Sequence, residues 1–297
     1  MRVQISKCGI PMMQRAPTQQ HTVGGYTLEY WLEDEILNGL EYSEYWNDEL
    51  IEASKPWNIL DGNFEKLEKH IGALGLVADL VQCRRALSRD FGIELRGSGI
   101  DLAAGSCWAA PHLLGRTGGE KLYCLECSKH RLVEIAPKVL AHYGVPPEKV
   151  VLVRGSFYDL RLPDQSLDFV FMSQAFHHAD DPLRLLREVH RALKPQGCVI
   201  IIGEHVVRLP EKYLKNAVRF VISHSCPSAL QQKLFGRRLT VERLCPPLHQ
   251  LLRPDPATGD HYYTDREYRR LLAAGGFQMR RIKRRRSRLQ SFVLVKD

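Results

Sequence analysis

A chain of 297 residues, 44% hydrophobic and 26% charged, is long enough to bury a full core without staples. With Gly at 22, Pro at 16 and Cys at only 8, it is excluded from the disordered, collagen-like and disulfide-scaffold classes. Its net charge of +8 is segregated: Tyr26 to Lys69 holds twelve acidic and three basic residues, and Val206 to Asp297 holds twenty basic and seven acidic. The two regions can attract each other within the fold, or the basic one can meet an anionic partner.

Residues 1–25 read as irregular, a polar stretch punctuated by Gly9, Pro11, Pro17, Gly24 and Gly25. From Tyr26 to about Phe91 the pattern is helical, with Leu28, Trp31, Leu32, Ile36, Leu37 and Leu40 at three- and four-residue steps. Residues 1–95 are therefore expected to form a helical extension. From Gly99 onward, short apolar runs alternate with helical ones. The predicted strands are Ile100–Ala103, Leu122–Leu125, Val150–Val153, Leu167–Met172 and Val199–Ile202, with helices at Trp108–Leu114, Lys129–His142 and Leu183–Leu193. This alternation predicts a parallel sheet covered on both faces. Residues 206–260 break the rhythm with proline-rich turns and read as a helical insertion, a substrate lid. Thr264 then caps a helix, with Glu267 as its capping-box partner, and Gly275-Gly276 end it. Strands at Phe277–Ile282 and Leu289–Val295 close the sheet. No stretch approaches the roughly 20 apolar residues of a bilayer span. Met1 to Gln20 has no signal-peptide core, and the cysteines have no repeated spacing. The expectation is a cytoplasmic protein with reduced thiols and no membrane span.

Four local features fall in order at the carboxyl ends of these strands, where open α/β sheets bind ligands. Ile100-Asp101-Leu102-Ala103-Ala104-Gly105-Ser106-Cys107 is a strand, an acid and a tight turn of small residues leading into a helix. Leu122 to Glu126 is a strand ending in a carboxylate suited to a ribose diol. Gly155-Ser156-Phe157-Tyr158-Asp159 follows the third strand, and Ser173-Gln174-Ala175-Phe176-His177-His178 follows the fourth.

With the text "LPDQSLDFVFMSQAFHHADDPLRLLREVHRALKPQGCVIIIGEH" and "YYTDREYRRLLAAGGFQM", this series resembles the class I S-adenosylmethionine-dependent methyltransferases. It is most similar to the "methyltransferase type 11" branch, which includes the ubiquinone/menaquinone-biosynthesis C-methyltransferases. The resemblance covers roughly 150–200 residues and leaves out the first 90 or so. It implies a Rossmann-like, doubly wound seven-stranded sheet with an antiparallel last strand over residues 96–297. It also implies S-adenosylmethionine as methyl donor, with S-adenosylhomocysteine as product and a small molecule as acceptor. Carried over by position, Asp101, Ala103, Gly105 and Cys107 form the turn that holds the amino-acid end of the donor. Glu126 grips the ribose, Cys127 lines the adenine side, Ser156 and Phe157 contact adenine, and Ser173 and Gln174 lie near the methionine portion. The family's first and third turn glycines are Ala103 and Cys107 here, with Cys107 bringing a Cβ toward the ligand, and its adenine-binding Asp is Ser156.

His177 suits a general base, because a neutral imidazole accepts a proton near pH 7; its other reading is a structural bond to the adjacent loop. His205, beside Glu204, points toward the same rim. The acceptor surface is expected from the N-terminal helices and from residues 206–263, including His224, His261, Tyr262 and Tyr263; the aromatic Tyr42, Tyr45, Trp46 and Trp57 have two readings, a cap on the cofactor or substrate cleft and plain packing. No metal is expected: Cys124-x-x-Cys127 is a single pair, and Cys226 and Cys245 lack a ligand spacing. The run Arg280 to Arg288 has seven basic residues in nine. It reads as an RNA-binding edge, which would make the acceptor RNA, or as a solvated turn that discourages edge pairing; aromatic interleaving is missing from it. The altered glycine turn leaves a third reading, a relative that binds the cofactor without catalysis.

Overall fold

The structure is a computed structural model that describes residues 19–38, 45, 48–115, 118–283 and 289–296. Residues 1–18, Tyr42, Trp46 and the basic stretch 284–288 lie outside the described residues.

The first element corrects the helical reading of the N-terminus. Strands β1 (Gln19–Val23) and β2 (Tyr26–Tyr30) pair antiparallel across Gly24-Gly25. Both glycines have positive φ, 56° and 88°, as a two-residue hairpin turn that follows the strand twist requires. Alternation in β2 buries Tyr26 and Leu28. Helices α1 (Asp34–Asn38), α2 (Glu49–Ala53), α3 (Phe64–Leu74) and α4 (Leu76–Phe91) follow, so the helical part of the extension starts eight residues after Tyr26.

The alternating region follows the predicted order. It runs β3 (Gly97–Leu102), α5 (Ala110–Leu114), β4 (Gly119–Glu126), a π-helical turn (Arg131–Ile135) continuing into α6 (Ala136–His142), and β5 (Val150–Arg154). Then come β6 (Leu167–Ser173), α7 (Pro182–Ala192) and β7 (Leu193–His205). The insertion contributes α8 (Leu209–Ser225), α9 (Ser228–Phe235) and α10 (Leu248–Leu251), before α11 (Asp265–Ala274), β8 (Phe277–Lys283) and β9 (Leu289–Lys296). The capping box at Thr264 and Glu267 forms with both its hydrogen bonds.

Among the described residues the sheet has nine strands rather than the expected seven, in the order β1-β2-β5-β4-β3-β6-β7-β9-β8. The N-terminal hairpin accounts for the difference, because β2 adds parallel to the edge of β5. Strand β9 is antiparallel to both β7 and β8. Strand periodicity splits the core into two layers. Ile200 and Ile202 point into one with α3–α6, and Val199 and Ile201 into the other with α7 and α11. All four side chains are fully buried, each contributing about 1.5–3 kcal/mol relative to exposure. An all-apolar strand is thus the signature of a sheet covered on both faces. Among the described residues, no helix is long and apolar enough to cross a membrane.

Candidate active site

The carboxyl ends of β3, β4, β5 and β6 open into one cavity of about 430 Å³. It collects eleven of the twelve residues singled out in the sequence: Asp101, Ala103, Gly105, Glu126, Cys127, Ser156, Phe157, Ser173, Gln174, His177 and His205.

The twelfth, Cys107, is a correction. It is fully buried and packs in the core with Cys124 instead of lining the cavity. Its backbone explains the position. Ala103, Gly105 and Cys107 have φ of 56°, 55° and 60°, so all three take the left-handed conformation that favours glycine. The chain keeps the turn with side chains that cost about 1–2 kcal/mol each in that region. Gly105 keeps its glycine where the ligand space is: a Cβ built there meets nothing within 4 Å.

Glu126 is buried at the tip of β4. Its carboxylate accepts from the backbone N–H of Gly105 (2.9 Å) and of Ser128 (2.9 Å). Arg131 lies 3.7 Å away and donates twice to Glu52, at 3.0 and 2.5 Å. Glu52 also accepts from the Trp57 indole at 3.1 Å, and the Arg131 guanidinium sits 5.4 Å from the Trp57 ring centre. A carboxylate–guanidinium–carboxylate row thus joins helix α2 to the tip of β4. Arg154, itself buried, ties α1 to the same sheet edge by donating to Asp34 (2.6 Å) and to the Cys127 carbonyl.

Two polar atoms in the cavity wall, Asp101 Oδ1 and Ser173 Oγ, are buried with no hydrogen-bond partner among the described residues. Burial, and then the charge of Glu126, push the Asp101 carboxyl well above the usual range. Orphaned buried atoms are costly unless a ligand satisfies them. They fit a ligand that brings polar groups to the ends of β3 and β6.

Behind the rim, the Glu204 carboxylate is fully buried and accepts from four donors. These are the Ala175 and Phe176 N–H groups (both 3.1 Å), His177 Nδ1 (2.9 Å) and the Tyr268 hydroxyl (2.9 Å). Burial works against a charge on His177, but Glu204 outweighs it and raises the imidazole pKa. A raised pKa and an occupied Nδ1 make His177 a held ring, closer to its structural reading than to a neutral base. Burial, and then the neighbouring His177, lower the pKa of His205 and favour its neutral form.

Sequence reasoning missed Glu52 and Arg131, which are 79 residues apart in the chain; only Arg131, five residues past Glu126, was within local reach. It also missed Asp260 and Thr258, which line the cavity where His224, His261, Tyr262 and Tyr263 were expected. His261 pairs instead with Asp180 (3.0 Å), Tyr262 lies under Lys212, Tyr263 packs on Tyr268, and His224 bonds its own helix. Tyr45, Trp57, Lys55 and His70 supply the N-terminal wall. Of the basic run, Arg280 faces Asp90 (3.2 Å) and Arg281 donates to Asp265.

Residues 100–201 match the methyltransferase-domain family. The chain is similar to the demethylmenaquinone methyltransferase of Geobacillus stearothermophilus, at 26% identity over 143 residues, 47% of this chain and 60% of that one. It is 36% identical over 105 residues to the glycine/sarcosine/dimethylglycine N-methyltransferase of Actinopolyspora halophila, covering 34% of this chain and 17% of that one. A solved S-adenosylmethionine-dependent methyltransferase from Aquifex aeolicus aligns with a TM-score of 0.43 at 18% identity, over 72% of this chain and 87% of that one. The chain spans about 60% of the length of the first of these relatives. Residues 100–201 are thus similar to a methyltransferase domain.

Proposed function

We propose that this protein transfers a methyl group from S-adenosylmethionine to a small-molecule acceptor. The observation that carries this reading is the buried Glu126 carboxylate facing the left-handed turn at Gly105, with Asp101 and Ser173 left unpartnered in the same cavity.

When bound, the donor supplies an electrophilic methyl on a sulfonium. The protein's own residues bind, orient and exclude water. Glu126 is assigned to the ribose hydroxyls, with two backbone N–H groups fixing its carboxylate in advance. Asp101, Ala103 and Gly105 take the amino-acid end, and the orphaned atoms at Asp101 and Ser173 gain partners there. Cys127, Ser156 and Phe157 take the adenine side; Phe157 stands edge-on to Tyr158 with ring centres 4.7 Å apart, a held aromatic wall. Gln174, in the left-handed region at φ 53°, closes the methionine end. His205 is the wall imidazole whose surroundings favour the proton-accepting form. The described part of residues 1–95 and residues 206–260 act as two covers over the donor domain of residues 96–297. Leu37, Tyr45 and Trp57 from one, and Thr258 and Asp260 from the other, already line the cavity.

The test is transfer of labelled methyl from S-adenosylmethionine to a panel of small hydroxyl, amine and activated-carbon acceptors. Label in a small molecule supports the reading. Label appearing only in RNA contradicts it.

A further inference from the structure

We propose that His177, His178 and Asp260 form a binding site for one divalent transition-metal ion of the zinc class. The site faces the cavity with a coordination position open to an oxygen ligand. The sequence suggested no metal, because its cysteine spacings fit none. The structure assembles a different donor set from segments 82 residues apart, which no local motif contains.

One ligand atom from each of the three residues lies within 4.8 Å of the other two. His178 Nδ1 and Asp260 Oδ1 are 3.1 Å apart. Two atoms sharing a tetrahedral ion at bond lengths of about 2.0–2.1 Å stand roughly 3.3 Å from each other, so little movement is needed to seat one. All three residues line the cavity.

The support behind these donors is an independent observation. His177 Nδ1 meets the Glu204 carboxylate at 2.9 Å, which leaves Nε2 as the ring nitrogen for an ion. Glu204 is itself fixed by Tyr268 and two backbone N–H groups. A carboxylate that holds the far nitrogen of a histidine fixes its tautomer and raises its basicity, the usual outer-shell arrangement of a metal-bound imidazole. The loop carrying Asp260 is stitched to the same turn, because the His261 N–H donates to the His177 carbonyl at 2.8 Å. The Asp260 and Glu204 carboxylates also supply the negative charge that offsets a dication. Two imidazole nitrogens and one carboxylate oxygen suit zinc-class ions over Mg²⁺ or Ca²⁺, which prefer all-oxygen shells.

With three protein ligands, a tetrahedral ion keeps one position for water or for a hydroxyl of the bound molecule. Resting on the methyl-transfer reading, this names the acceptor class as a hydroxyl-bearing molecule, whose oxygen binds the ion and loses its proton to solvent more readily. The oxygen–methyl bond then forms as the methyl–sulfur bond breaks. S-adenosylhomocysteine and the methyl ether leave.

The experiment is calorimetric titration of the full, chelator-treated chain with ZnCl₂, with MgCl₂ as control. It is repeated on Asp260→Asn and His178→Gln, and on the Co²⁺-loaded protein by visible absorption. The expected result is one Zn²⁺ per chain, no response to Mg²⁺, and weakening by at least about tenfold in each variant, with loss of the cobalt bands. Thermal unfolding of the metal-free variants checks that they fold. Absence of Zn²⁺ binding, or wild-type Zn²⁺ affinity in both folded variants, overturns the site. A parallel titration with S-adenosylmethionine separates the two readings. Zn²⁺ binding without donor binding removes methyl transfer and leaves the metal site standing; donor binding without Zn²⁺ binding removes only the metal site.

Discussion

The Glu126 carboxylate is held by the Gly105 and Ser128 N–H groups in the protein by itself, so its remaining lone pairs are aimed before a ligand arrives. Glu126→Gln keeps the shape but removes the charge and turns one acceptor into a donor. Bonds to a charged group contribute about 1.5–3 kcal/mol, so donor affinity is expected to fall about ten- to a hundredfold by calorimetry; unchanged affinity would remove Glu126 from the ribose. The two side chains that replace turn glycines differ in what surrounds them. Ala103→Gly relieves a left-handed alanine at small packing cost, and the melting temperature is expected to hold or rise. Cys107→Gly relieves similar strain but empties a fully buried site, where each lost methylene-sized group costs about 0.8 kcal/mol before any cavity penalty. A net loss of about 1 kcal/mol is expected for Cys107→Gly by denaturant titration. Stabilisation in that variant would show that strain, not packing, rules the turn.

At the scale of elements, the site depends on what α2 and α11 hold in place. Glu52 neutralises one side of Arg131, which faces Glu126 on the other. Glu52→Gln frees that guanidinium to lean on Glu126. Donor affinity is expected to drop severalfold while the fold persists; a stability loss with unchanged affinity would make Glu52 purely structural. Thr264→Ala removes the cap of α11 and is expected to cost about 1 kcal/mol with donor affinity intact, as paired unfolding and binding measurements would show. These two elements also mark what the sequence disclosed. The cap of α11 is local chemistry, a Thr and a Glu three residues apart, and it formed as read. The Glu52–Arg131 pair joins residues 79 apart, and no local pattern encodes it. The β1–β2 hairpin had a local signal, Gly24-Gly25 between two short runs. Leu28, Trp31 and Leu32 match helical steps equally well, and five-residue strands are too short for periodicity to decide.

Across the whole molecule, the alternating half was legible because a strand buried on both faces is apolar throughout, and its ends then place Asp101, Glu126, Ser156 and Ser173 on one rim. The N-terminal segment and the insertion were less legible, because the residues that reach the cavity from them, such as His70, Thr258 and Asp260, are set by tertiary packing. Charge segregation had two readings. In the described residues the acidic segment pairs with Lys129 and Arg131 just after β4 and with Arg154 of β5, not with the basic third, and these pairs tie α1 and α2 to the sheet. The central claim, that the rim is a donor site, is tested most directly by calorimetric titration of the intact protein with S-adenosylmethionine and with S-adenosylhomocysteine. One micromolar site for each, competing with the other, is the predicted result. Heat indistinguishable from dilution for both ligands would contradict the account.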